Sequence, residues 1–246
     1  MPFEPWSVAG PAFEHLGDRA LSQQPLPGPW IVLATAMVAL ALVGLPATWP
    51  RVRLAITIVH EAGHALVAVL VGRRLAGIRL HSDTSGVTVS RGRPTGPGVV
   101  VMYAAGYLAP ALLGLIAALL LVAGRALGLL WLLVLVLIVL VVWIRNLYGL
   151  AVVLGAVAVL GVASWFAPVD LLVVAAYLVT WVLLLAAPRP LLELLRAGRN
   201  GRRGSDPDHL ARLTRVPAVL WIVVLLIANL AGLAVGVTTL LPELVG

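Results

Sequence analysis

Between residues 30 and 241 the chain is a succession of apolar runs of roughly bilayer-crossing length, and this pattern constrains the fold more than any other feature. A transmembrane helix needs about 20 consecutive apolar residues, with about 17 enough at the short end. The runs give about seven spans, at 30–48, 54–71, 98–123, 127–144, 147–163, 169–187 and 216–241. Only Arg145 and Asn146 separate the fourth from the fifth. Composition agrees: 61% of residues are hydrophobic and 11% are charged, against about 25% charged in an ordinary soluble domain. The expected fold is an all-α polytopic membrane protein. Residues 1–29, proline-rich and with a single Arg, lack the basic start and early apolar core of a secretory signal. They read as a flexible N-terminal leader, and 30–246 as one membrane-embedded domain.

The net charge of +7 comes from 17 basic residues, all arginine. They gather in hydrophilic segments at 73–97 and 189–215 rather than along an aromatic-interleaved face, so a lipid bilayer, and no nucleic acid, is the expected partner. Basic loops stay on the cytoplasmic side. With seven alternating spans and the N-terminus inside, fourteen of the 17 arginines fall on the inner side. Cysteine is absent, which excludes a disulfide framework, a thiol nucleophile and a Cys-type metal site.

Within the second run lies His60-Glu61-Ala62-Gly63-His64, an H-E-x-x-H motif. On a helix the two histidines project from one face and can share a Zn²⁺ ion, while Glu61 is placed as the catalytic base that takes a proton from a water held there. Random placement of five His and five Glu would give the pattern about 0.002 times in a chain of this length. Two histidines and a glutamate in a bilayer would otherwise each need a partner, because desolvated charge is costly. The rise of a helix puts the motif about 12 Å from the end of its span. After that span, Ile78 and Leu80 alternate with polar residues, 82–86 supplies turn residues, and Val87 and Val89 alternate again. This reads as a β-hairpin. It is either a surface connector or an exposed strand edge able to pair with an extended peptide.

The chain resembles the site-2 protease family of intramembrane zinc metallopeptidases, and more closely its compact B-like branch. The resemblance covers about 54–221. It rests on the HEAGHAL block at 60–66, the hairpin that follows, Ala105-Gly106-Tyr107-Leu108-Ala109-Pro110 with Gly114, and Gly204-Ser205-Asp206 with Leu210, Ala211 and Trp221. It implies peptide-bond hydrolysis in or beside the membrane, on a single-span or signal-peptide-like substrate. A catalytic zinc site takes three protein ligands. Better-known relatives supply an aspartate before glycine, and no Asp-Gly pair occurs here. The B-like branch carries a Ser-Asp pair that maps onto Ser205-Asp206, which makes Asp206 the candidate third metal ligand. Asp206 before Pro207 equally suits a helix N-cap. Asp208 and His209 are the fallbacks, ahead of Asp170 and Asp83.

Other polar and small residues have expected roles. Gly106, Pro110 and Gly114 recur on one helix face and allow a close neighbour, with a freed carbonyl near Pro110 available to the cavity. Arg145 and Asn146 either reach the interface or, were their spans one bent element, could stabilise an oxyanion. Asn229 reads as glue between helices, and Trp30, Trp49 and Trp143 as interface anchors. Two other functions fit the motif: a catalytically silent zinc-binding scaffold or regulator, and a transporter, against which stands the absence of an internal repeat.

Overall fold

The structure is a computed structural model, and it describes residues 17–242; residues 1–16 of the expected leader lie outside them. Ten helices and one hairpin are found among the described residues beyond a first helical turn at 17–21: α1 (Pro29–Gly44), α2 (Trp49–Leu70), β1 (Arg74–Leu80), β2 (Gly86–Arg91), α3 (Pro97–Val122), α4 (Ala126–Val141), α5 (Leu147–Phe166), α6 (Val169–Ala186), α7 (Arg189–Arg196), α8 (Gly198–Gly201), α9 (Asp206–Thr214) and α10 (Ala218–Leu240). Local chemistry sets several boundaries. Proline occupies the first turn of α1, α2 and α3, where a missing N–H costs nothing. α2 and α3 end at Gly72 and Gly124, both with positive φ. The next residues, Arg73 and Arg125, reach back to the carbonyls of Ala68 and Leu120 at 2.8 Å, the closing bond of a Schellman turn.

All seven expected spans are helices, but five stretches are long and apolar enough to cross a membrane: α2, α3, α5, α10 and the continuous Val169–Arg196. α1 and α4 have 16 residues each, about 24 Å against a hydrocarbon core of about 30 Å. The chain also departs from strict alternation. Residues 17–28, expected to be loosely ordered, pack at the C-terminal end of α3: Gln24 N–H donates to Gly124 O at 2.8 Å, Leu127 N–H to Gln24 Oε1 at 3.2 Å, and Arg19 to Trp165 O at 2.9 Å. The hairpin leaves α2 at the opposite end of α3, where Ala68 packs on Val99 and Met102. α1 ends, and α2 begins, against Leu183 and Ala186 of α6, next to the level at which Leu184 meets Gly114 inside α3. The two helices act in series and make one net passage, so the described start of the chain and the hairpin lie at opposite ends of the bundle. Seven alternating spans would have put them at the same end.

The hairpin is antiparallel, with Ile78 opposite Thr88, Leu80 opposite Gly86 and an irregularity between Leu75 and Gly77. Ile78 and Leu80 are buried against Ile58, Ala65, Leu140 and Val153, so it is part of the core rather than a surface connector. A third segment closes the outer edge of β1. Ile78 N–H donates to Trp143 O at 2.7 Å and Arg145 N–H to Ile78 O at 2.8 Å, in a parallel bridge. Asn146 then imitates another strand residue, accepting from Leu80 N–H at 3.2 Å and donating to Leu80 O at 2.7 Å. The 142–146 turn is therefore a hairpin anchor. Arg145 bonds the carbonyls of Val142 and Ile144 and does not line the cavity, which removes the oxyanion role considered for it.

Two further expectations change. Trp49 is buried and donates to Glu193 Oε1 at 2.7 Å, tying α2 to α7 instead of anchoring at an interface. Asn229 is fully buried but donates to Leu225 O of its own helix at 2.7 Å, and its Oδ1 has no partner, so it bonds no neighbouring helix.

Candidate metal centre

α2 and α3 run antiparallel at unusually close range because glycine faces each helix at the crossing. A Cβ on Gly63 would stand 2.5 Å from Ala109 Cβ and 2.9 Å from Ala105 O. A Cβ on Gly106 would meet both imidazoles, at 2.5 Å from His64 Cε1 and 2.7 Å from His60 Cε1. Gly106 thus serves the histidines, and Gly114, two turns on, receives Leu184 of α6; the expected small-residue face has two different neighbours. Pro110 is buried within α3 and is not in the lining of the cavity.

The His64 ring is fixed from behind. Its Nδ1 lies 2.7 Å from Met102 O. A carbonyl only accepts, so Nδ1 carries the proton and Nε2 presents a lone pair, the arrangement that metal-bound histidines adopt. His64 Nε2 is 3.0 Å from His60 Nε2 and 3.1 Å from Asp206 Oδ2, and His60 Nε2 is 3.0 Å from the same oxygen. Three donor atoms from α2 and α9 so form a nearly equilateral triangle. Donors at about 2.0–2.1 Å from a tetrahedral zinc stand about 3.3 Å apart, within a few tenths of an ångström of this spacing. These three can hold a metal ion, and no other such group occurs among the described residues.

A family model, peptidase M50B-like, matches residues 33–236. The chain belongs to the M50B-like peptidases, of the site-2 protease family. Neither a curated protein nor a solved structure matches it. With five long apolar helices, this M50B-like peptidase is an integral membrane protein, and the family makes it a metallopeptidase.

In this member of the family Asp206 is the first residue of α9 and Ser205 precedes it as N-cap, without a side-chain cap bond. The Asp206 carboxylate is turned to the histidines instead. Asp208 Oδ2 accepts from Gly204 N–H at 2.9 Å, just ahead of the helix. Of the fallback ligands, Asp208 pairs with Arg212 at 3.3 Å and His209 stacks on Tyr103. Asp83 lies at the exposed hairpin tip, bonded to Ser85, and Asp170 in the first turn of α6.

The centre lies in a cavity of about 430 Å³ lined by α2, β2, α3 and the start of α9, with Arg73, Ser90 and Gly204 among its residues. Asp206 reaches the histidines because 204–206 dips toward them, and a cavity makes that backbone tolerable at membrane depth. Glu61 is buried, its Oε2 accepting from Thr88 Oγ1 at 2.6 Å. Gly86 of β2 comes so close that a Cβ there would lie 2.7 Å from Glu61 Oε1. Thr88 escaped the sequence reading, although its place opposite Ile78 in an alternating strand put it on the core-facing side.

Proposed function

We infer that the protein is an intramembrane zinc metalloprotease that hydrolyses peptide bonds of membrane-spanning or membrane-adjacent substrates. The observation that carries the reading is the meeting of His60, His64 and Asp206 donors at 3.0–3.1 Å in a cavity that also holds Glu61. Two imidazoles and one carboxylate suit zinc. When bound, zinc supplies a Lewis acid that makes water a nucleophile near neutral pH and polarises a carbonyl. The chain's own groups do the rest. The Nε2 atoms of His60 and His64 and Oδ2 of Asp206 hold the ion, and Met102 O keeps the His64 ring in place. Glu61 takes the proton of the attacking water and delivers it to the leaving amine. Thr88 holds the Glu61 carboxylate in one orientation.

The substrate is delivered in extended form. β1 is closed on its outer edge by Trp143–Arg145, whereas residues 86–90 of β2 line the cavity beside Glu61. A peptide unwound from a helix can add to that edge through its main chain, with its scissile bond at the centre. The basic segments, the hairpin and the centre's opening belong to the cytoplasmic side of the membrane, and residues 17–28 to the opposite side.

The test compares wild type with Glu61→Gln and His64→Ala, measuring bound zinc and cleavage of a labelled single-span peptide in proteoliposomes. Glu61→Gln should keep zinc and lose cleavage; His64→Ala should lose both. Cleavage surviving in Glu61→Gln would remove the base from the mechanism, and zinc-free wild type under metal-replete conditions would remove the hydrolase.

A further inference from the structure

α9 carries more than the third donor. His209, one turn beyond Asp206 and so on the same side of the helix, lines the cavity without belonging to the donor group. Its ring lies flat against Tyr103, centroids 4.8 Å apart and planes 7° from parallel. The Tyr103 ring stands 6.3 Å from that of His64.

One neighbour sets the tautomer of His209. Arg212 Nη2 lies 3.0 Å from His209 Nδ1. A guanidinium only donates, so Nδ1 accepts through its lone pair and the neutral ring carries its proton on Nε2. Arg212 is held at 3.3 Å by Asp208 Oδ2, the same oxygen that accepts from Gly204 N–H. A chain of contacts along α9 therefore orients a ring whose remaining nitrogen is a donor. That is the wrong form for a metal ligand, which offers a lone pair, and the right form for binding negative charge. Arg73, another strong donor in the lining, is engaged by Ser90 and the Arg93 carbonyl.

We propose that His209 is a further catalytic residue, whose Nε2–H hydrogen-bonds the substrate carbonyl oxygen as negative charge develops on it, with Arg212 the positioning residue that keeps the proton on that nitrogen. The proposal rests on the protease reading. His209 transfers no proton and forms no bond; it lowers the energy of charge that appears only during attack, so it acts on kcat rather than on KM.

The probe is a phosphonamidate analogue of an apolar peptide, whose anionic tetrahedral oxygens imitate that charge, titrated into full-length zinc-loaded protein in detergent. His209→Phe keeps a ring on Tyr103 and removes the donor; His209→Gln restores an N–H. Binding should fall about 100-fold in His209→Phe, with zinc content and affinity for the unmodified peptide unchanged, and recover at least in part in His209→Gln. Arg212→Met leaves the imidazole in place and should weaken the analogue about tenfold, which keeps the idea testable if His209→Phe does not fold. Equal binding by wild type and His209→Phe overturns the proposal, as does loss of zinc from His209→Phe. Zinc-loaded wild type that ignores the phosphonamidate sinks the protease reading itself, a distinguishable result.

Discussion

Replacing Gly106 by alanine adds one methyl group where the His60 and His64 rings already stand. The added carbon falls 2.5 Å from His64 Cε1 and 2.7 Å from His60 Cε1, where carbon atoms settle at about 3.5–4.0 Å. The rings have to retreat by about 1 Å, several times the about 0.2 Å over which metal–ligand distances vary. Neither can do so freely, because His64 is tied to Met102 O and both belong to a helix pressed against α3. Zinc affinity should fall at least 10–100-fold, about 1.4–2.7 kcal/mol, read by competition with a chromogenic chelator. Gly114→Ala is the control. Its Cβ would meet the end of Leu184 at 2.8 Å, a flexible side chain, so it should cost about 1–3 kcal/mol of stability and leave zinc affinity alone. Wild-type zinc affinity in Gly106→Ala would refute the close approach of α3 to the histidines.

Thr88→Val should lower kcat about 10–100-fold, the loss of one hydrogen bond to a charged group, with zinc retained, and Thr88→Ser should restore it; unchanged turnover in the valine variant would deny Thr88 its hold on Glu61. Asn146→Ala removes both bonds to Leu80 and should cost about 1–3 kcal/mol in thermal unfolding, with faster proteolysis of the hairpin; an unchanged melting curve would mean that the hairpin needs no anchor. Because the chain has no cysteine, Gln23→Cys and Ser82→Cys can be labelled singly in sealed vesicles with an impermeant maleimide. They should react from opposite sides, and reaction from one side alone would restore a full extra passage.

Apolar run length and the spacing of His60 and His64 are local properties, and both were legible. The runs became helices and the motif faces one cavity. The Ser205-Asp206 resemblance pointed to Asp206, whose carboxylate meets both imidazoles, but the residues themselves could not separate ligand from cap, because the difference depends on where α9 sits, 142 residues from His64. The same limit hid Asn146: its two bonds are to a main chain 66 residues away. Orientation from arginine counts assumed that each apolar run crosses once. α1 instead stops against Leu183 and Ala186 of α6, a packing outcome that hydropathy does not encode.

The one-sided hairpin has a consequence for how targets are chosen. Main-chain pairing to β2 does not depend on the side chains it receives, so on the protease reading the edge accepts many sequences equally. Discrimination then passes to the step before pairing, in which a helix gives up its own hydrogen bonds inside the bilayer. The segment cut first is the one whose helix opens most easily at the depth of the cavity, so glycine or proline at that depth would mark a target better than any consensus around the scissile bond.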